Sequence, residues 1–450
     1  MTRTARSLAG KASLGVVLVG ALALAGCAGG TTPSDTESPE AWDPHAQKAQ
    51  IEIAWWGNEE RAALFQQVID AFEEEYPEIT VTGNSYGAPD DLFNRLATDF
   101  GGGGTTAPDV FALGGAKPQE YGSNGLLLQL DAGDQIETIS NSKLYPDFSL
   151  TNAIVDDKLY GLPTGGNATA AFVNTKIFEE AGVAVPDDGW TWDDLVEAAN
   201  EIGSKHLTTD TGAPIMGIDL RIQDILGTYT GQETEFGMYD WDGNLAVGAD
   251  VIADWYTIEE DLLEGGGLPD PTVVTTNWNL PTDQQPYTLG QAAITFGYSN
   301  LVNGPYGLDG ATKILTPPTN TDKSGVALLP SAFWSVNAAT KYPEAAALLM
   351  DWFLSPEAAD LIKDTRGVPF RDDTASAVIP TLTGGAATAA EYVQSVLDSG
   401  EVAPPQPNGG ANMNSHSQTY EAEVLFGRQT PKEAADNWVA ALKADLEAAK

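Results

Sequence analysis

One cysteine, Cys27, and three histidines, His45, His206 and His416, are all that the 450 residues contain of these two types. A single cysteine leaves no internal disulfide, so stability has to come from packing. The histidines lie far apart without metal-ligand spacing, which removes any visible zinc ligand set. Bases are scarce as well. Lys and Arg number 22 against 64 Asp and Glu, a formal charge of −42, and nucleic acid is a poor partner for such a surface. The acids are spread through helical stretches and loops, as on a solvated exterior. Beyond residue 25 nothing approaches the roughly 18 consecutive apolar residues that suggest a membrane span. A Gly-x-Ser-x-Gly elbow and a phosphate-cradling loop are both missing: residues 101–104 are all glycine but lack the Lys-Ser/Thr ending, and read as a flexible turn. No cofactor is implied, and no repeat of fixed period is visible.

What is present begins with an address. Residues 1–11 carry Arg3, Arg6 and Lys11 and no acid, and an apolar stretch follows over residues 14–25. Basic then apolar is the layout of a secretory signal, and the stretch is short for a span of about 20 residues. It closes on Leu24-Ala25-Gly26-Cys27, which resembles a bacterial lipobox. The resemblance implies cleavage after residue 26 and lipidation of Cys27, whose thiol receives the diacylglyceryl group; the alternative is an ordinary buried cysteine behind an uncleaved segment. Loss of those three bases takes the formal charge to −45. Residues 28–50 are rich in Gly, Thr, Ser and Pro without apolar period, too little to offset ordering entropy, and read as a tether.

The remainder, in a chain that is 42% hydrophobic, can supply two cores. Alternation predicts a strand over residues 51–56, and Leu64, Phe65, Val68, Ile69 and Phe72 give residues 61–76 one apolar helical face, stopped by Pro77. A strand at 79–86, a helix at 90–100 and a strand at 109–113 continue the α/β pattern. Past the Tyr160-Gly161-Leu162-Pro163 turn comes a strand at 170–174. Thr191 and Asp194 then form a capping-box pair opening a helix that buries Trp192, Leu195, Ala199 and Ile202. Further helices open at Pro343, at Ser355-Pro356 and at Thr430-Pro431, the last presenting Trp438, Val439, Leu442 and Leu446.

Several motifs in order resemble the extracellular solute-binding proteins of the carbohydrate-uptake class, the group that includes maltose-binding protein. They are the Trp-bearing first strand, Ala107-Pro108-Asp109-Val110-Phe111 with Gly125-Leu126-Leu127, Leu159-Tyr160-Gly161-Leu162-Pro163 running to Asn174-Thr175-Lys176-Ile177-Phe178, and Trp190-Thr191-Trp192-Asp193-Asp194-Leu195. Gly290-Gln291-Ala292-Ala293-Ile294, Lys341-Tyr342-Pro343-Glu344-Ala345-Ala346, Gly367-Val368-Pro369 and Phe426-Gly427-Arg428-Gln429-Thr430-Pro431 complete the series. The resemblance covers nearly all of residues 50–450. It implies a type II periplasmic-binding-protein fold, two α/β lobes with a hinge and a ligand cleft between them, assembled from residues 50–164 plus 329–366 and residues 165–328 plus 367–450. It also implies a monomer that binds a carbohydrate and delivers it to ABC permease subunits, held at the membrane by its lipid.

A sugar calls for aromatic platforms beside groups that donate and accept hydrogen bonds. In the family the last aromatic of the first strand and the polar residues after it reach the cleft, which carries over to Trp56, Asn58 and Glu59. Gly114 occupies the next ligand-facing loop, which here lacks the usual charged side chain. Asn167 stands near the first crossing between lobes and Trp334 on the return crossing, while Tyr298 follows the Gly290 motif. Asp219 and Arg221, with Asn412 and Asn414, are candidates to complete the site. For Trp56 and Trp334 the rival is core packing, and for Asn167 a turn. Residues 240–244, Asp-Trp-Asp-Gly-Asn, have the look of a calcium loop but also of a hairpin turn. A surface-anchored glycoside hydrolase with paired carboxylates and a lipid-anchored adhesin or sensor are the alternatives to a transport protein.

Overall fold

The computed structural model describes residues 42–449 apart from 116, 132–141, 364, 400–402 and 408. Cys27, the signal segment and the tether up to residue 41 lie outside the described residues. The first strand, β1 (Ala49–Trp56), alternates as expected, burying Ile51 and Ile53 while Gln50 faces out. Asn58 caps the helix Glu59–Glu75, its side-chain oxygen accepting from the Arg61 N–H, and Phe65, Val68, Ile69 and Phe72 form the buried stripe. β1 pairs in parallel with β2 (Ile79–Tyr86) and β3 (Val110–Leu113), the arrangement that strand–helix alternation produces.

A short hairpin, β4 (Ile154–Val155) and β5 (Lys158–Leu159), precedes β6 (Leu162–Asn174), the longest strand at 13 residues. β6 changes partners along its length. Residues 162–168 pair antiparallel with β10 (Leu328–Val336), whereas 169–174 pair with β8 (Ala292–Tyr298) and β9 (Thr312–Leu315). β7 (Met216–Asp219) adds in parallel to β8, and β10 reaches β3, so the order is β2-β1-β3-β10-β6-β8-β7 with β9 against β6. Two half-sheets are thus joined through one crossing strand.

A turn at residues 160–163 followed by a strand from residue 170 is the expectation; the strand instead starts at Leu162 and includes Gly165 and Gly166. The structure shows why extended chain needs them. Residues 365–371 pass so close that a Cβ on Gly166 would stand 1.7 Å from Phe370 Cζ, and Gly166 and Val368 exchange N–H···O bonds of 2.8 and 3.0 Å. Only glycine admits that approach.

Each half carries its own aromatic packing. Trp334, Phe65 and Phe353 meet at centroid distances of 5.3 to 6.0 Å in the first. In the second, Trp192, Tyr229 and Trp255 meet at 5.1 to 5.5 Å. The helix Trp192–Ser204 has a complete Thr191/Asp194 capping box and buries the four residues that its period predicts. Among the described residues no helix is long and apolar enough to cross a membrane.

Candidate ligand-binding site

The two tryptophans ending β1 divide their roles. Trp55 is buried, while Trp56 stays half-buried beside its own loop. Phe93 meets the Trp56 ring edge-on at 5.7 Å, and the Arg366 guanidinium lies over it at 4.6 Å. A Cβ on Gly114 would touch the same ring at 3.5 Å. Trp56 and Gly114 are therefore neighbours, with Phe93 and Arg366 as supports that motif reading did not single out. Arg366 could have been noticed as the base directly preceding Gly367-Val368-Pro369. Asn58 is exposed on the same loop and Glu59 at the first position of the helix that follows, and the Asn58 side chain is already engaged at 3.0 Å as the helix cap.

A second group forms where β6 changes partners. Asn167 and Thr169 are two residues apart on one face of the strand. Leu329 stands opposite Asn167 and Tyr298 opposite Thr169, and directly opposed residues share a face. The patch holds two features of a binding surface. The Asn167 Oδ1 is buried without a hydrogen-bond partner, a costly condition that a ligand donor relieves. Tyr298 is 50% exposed, yet desolvation first and Asp224 second raise the pKa of its hydroxyl.

Asp219 and Arg221 turn out otherwise than expected. Both are buried. Arg221 donates to Asp219 at 2.9 Å, Asp224 at 2.7 Å, the Phe296 carbonyl at 3.1 Å and the Tyr306 hydroxyl at 2.6 Å. Burial pushes the Asp219 carboxyl up to about 6 against the pull of Arg221. For Arg221, burial lowers the pKa, but Asp224 and Asp219 outweigh it and hold the group above its ordinary value. With its donors used internally, the pair braces the ends of β7 and β8, and Asp224 is the member whose charge acts on Tyr298. Asp224 escaped notice because a lone acid in a helix's first turn carries no motif.

Trp334 is corrected outright. At 1% exposure, between Phe65 and Phe353, it has no face for a ligand. Asn412 donates to Asp445 at 2.9 Å. Asn414 is exposed in the first turn of the helix Met413–Leu425, one turn before Gln418, which reaches Gln223 at 3.3 Å.

At residues 240–244 the Asp240 carboxylate accepts from the N–H of Asp242 at 3.0 Å and of Asn244 at 2.8 Å. With Gly243 at φ +77° and a Tyr239–Leu245 bridge, this is hairpin-turn chemistry. Among the described residues no group of three or more His, Cys, Asp or Glu could hold a metal. Glu259 and Glu421 are fully buried acids whose pKa values burial raises, and burial keeps both from any substrate.

Two half-sheets sharing crossing chain, with an unpartnered amide and an exposed tyrosine at the crossing, define a two-lobed solute-binding fold of type II. The chain belongs to the bacterial extracellular solute-binding protein family, which matches residues 56–360. It is 33% identical over 191 residues to an uncharacterised ABC transporter extracellular-binding protein of Pyrococcus horikoshii, covering 42% of this chain and 43% of that one. An arabinooligosaccharide-binding protein of Halalkalibacterium halodurans is 27% identical over 152 residues, 33% of either chain. The matches thus span less than half the length of these relatives. Over nearly the whole chain the fold is that of the GacH receptor of Streptomyces glaucescens, solved unliganded and with acarbose, at a TM-score of 0.70 and 21% identity, covering 90% of this chain and 100% of that one.

Proposed function

We propose that the protein captures a sugar or oligosaccharide outside the membrane, on the extracellular or periplasmic face, and delivers it to the permease subunits of an ABC importer. Lipid on Cys27 anchors it, residues 28–50 give it reach, and it acts as a monomer that binds without turnover. Family membership and the oligosaccharide named for a relative support this reading. The observation that carries it is the crossing-strand patch, where an unpartnered Asn167 amide oxygen and a half-exposed Tyr298 ring offer one polar contact and one apolar face together. That combination suits a pyranose, which has hydroxyls around its rim and C–H groups on its faces.

Trp56 and Gly114, flanked by Asn58 and Glu59, form the wall contributed by residues 50–164 plus 329–366. Tyr298, Asp224 and Asn414 form the wall of residues 165–328 plus 367–450. Closure around a solute buries most of the ligand surface. Calorimetry of the mature protein against a panel of mono- and oligosaccharides, with product analysis, tests the reading. Tight binding without turnover is expected; released reducing ends make it a hydrolase, and silence across the panel ends the carbohydrate assignment. For the anchor, Cys27→Ser is expected to move the protein from the membrane fraction to the medium or periplasm, and unchanged fractionation removes the lipid from the scheme.

A further inference from the structure

Where residues 365–371 run beside β6, a small cavity opens between them and the helices Pro343–Phe353 and Pro356–Ile362. Its volume of about 20 Å³ is room for one water-sized or ion-sized occupant. Tyr145, Thr164, Lys363, Arg366, Arg371 and Thr374 supply the polar part of its wall. Two of these residues have atoms without a hydrogen-bond partner, the Tyr145 hydroxyl and the Arg366 Nε. Both side chains are deeply buried, in residues 5% and 6% exposed. Each of the two groups is a hydrogen-bond donor, and Nε–H can be nothing else.

Of the three bases on the wall, two are paired with carboxylates and one is not. Lys363 pairs with Asp360 at 2.7 Å, and Arg371 with Asp351 at 2.9 Å and Asp373 at 2.8 Å. Arg366 has no carboxylate partner among the described residues. It donates to the Trp56 carbonyl at 2.9 Å and lies over the Trp56 ring, and among the described residues the formal charge that acts on it is the like charge of Arg61. A buried guanidinium without a counter-charge is unfavourable. A water in the cavity answers the two donors and leaves that charge uncompensated; an anion answers both.

We propose that this cavity is a binding site for one small monovalent anion, a halide of chloride to bromide size, held by the Tyr145 hydroxyl and the Arg366 Nε–H. Bound there, the anion fastens residues 365–371 to the crossing strand at Thr164 and so braces the joint between the two half-sheets.

Thermal unfolding of the full mature chain at fixed ionic strength tests this, with sodium gluconate replaced stepwise by sodium chloride or bromide. A saturable rise in Tm of about 2 °C is expected, following the mass-action stabilisation of a bound ligand. Arg366→Gln is expected to abolish the halide response and Tyr145→Phe to weaken it. Crystals of the unaltered protein grown in sodium bromide should show a bromide anomalous peak between Tyr145 and Arg366, a readout that does not depend on a variant folding. Equal Tm values in gluconate and halide, a full halide response in Arg366→Gln, or an ordered water with no anomalous signal in the cavity would each overturn the proposal.

Discussion

Arg221 and Arg366 are equally hidden from solvent, one in each half of the molecule, and their surroundings differ in kind. Arg221 spends its donors on two carboxylates, a carbonyl and a tyrosine hydroxyl, and its pKa is raised. Arg366 has one carbonyl and an aromatic face, and burial, with Arg61 adding to it, brings its pKa down to about 9. Burial is common to both; the partners decide what each side chain does. The compensated arginine is a strut that fixes β7 and β8, and the uncompensated one keeps a charge to offer beside the crossing strand and Trp56.

The largest effect expected from this contrast is at the strut. Arg221→Met strands Asp219 and Asp224, and breaking a buried ion pair from one side costs about 3–5 kcal/mol. Urea unfolding should show that loss. The second-half core also holds the opposite case, two buried acids with no base paired to them among the described residues. Glu259 accepts from the Trp255 indole at 2.6 Å, while its second oxygen and both oxygens of Glu421 have no partner. Burial raises both pKa values above the ordinary glutamate value, so the folded state holds protons that the unfolded chain releases. Stability is then greatest below the ordinary glutamate pKa and falls as pH climbs toward about 8. Melting curves of Glu259→Gln/Glu421→Gln are expected to flatten across that range, and an unflattened profile would show that the pair is not its source.

The same contrast explains what could be read from the chain in advance. The helix Trp192–Ser204 was legible down to its four buried residues because capping and period are local. Asp219 and Arg221 looked like cleft residues because two charges after a short strand carry no record of Phe296 and Tyr306, which close over them 75 and 85 positions later. Trp56 and Trp334 look equivalent as strand aromatics. Only the packing of Phe65 and Phe353 on one and of Gly114 and Arg366 beside the other separates them. The first half of β6 was hidden for the same reason, since the approach of residues 365–371 to Gly165 and Gly166 leaves no local signal. Asn167 is a candidate from family position, but that its Oδ1 lacks a partner depends on long-range geometry.

Binding should distinguish the half-exposed aromatics from the buried one. Tyr298→Ala and Asn167→Ala are each expected to weaken sugar binding by about 1–3 kcal/mol, the scale of lost aromatic contact or an unpaired polar group. Trp334→Ala is expected to lower the unfolding midpoint while leaving the affinity of the folded fraction unchanged. Titration calorimetry on variants first checked for folding reads this. Unchanged affinity in both Tyr298→Ala and Asn167→Ala would remove the crossing-strand patch from the site.

The smallest effect is the sharpest test of the comparison between the two arginines. If Arg366 is a buried charge without a counter-charge, Arg366→Met removes an unfavourable term along with one hydrogen bond and the contact with Trp56, and fills much of the same space with apolar atoms. Those terms oppose each other, so in halide-free buffer its unfolding free energy should stay within about 1 kcal/mol of the unaltered protein. Arg221→Met has no such offset, because its loss leaves two acids behind. A urea midpoint for Arg366→Met displaced as far as that of Arg221→Met would mean that Arg366 has a compensating partner after all, and the distinction between strut and free charge would fall.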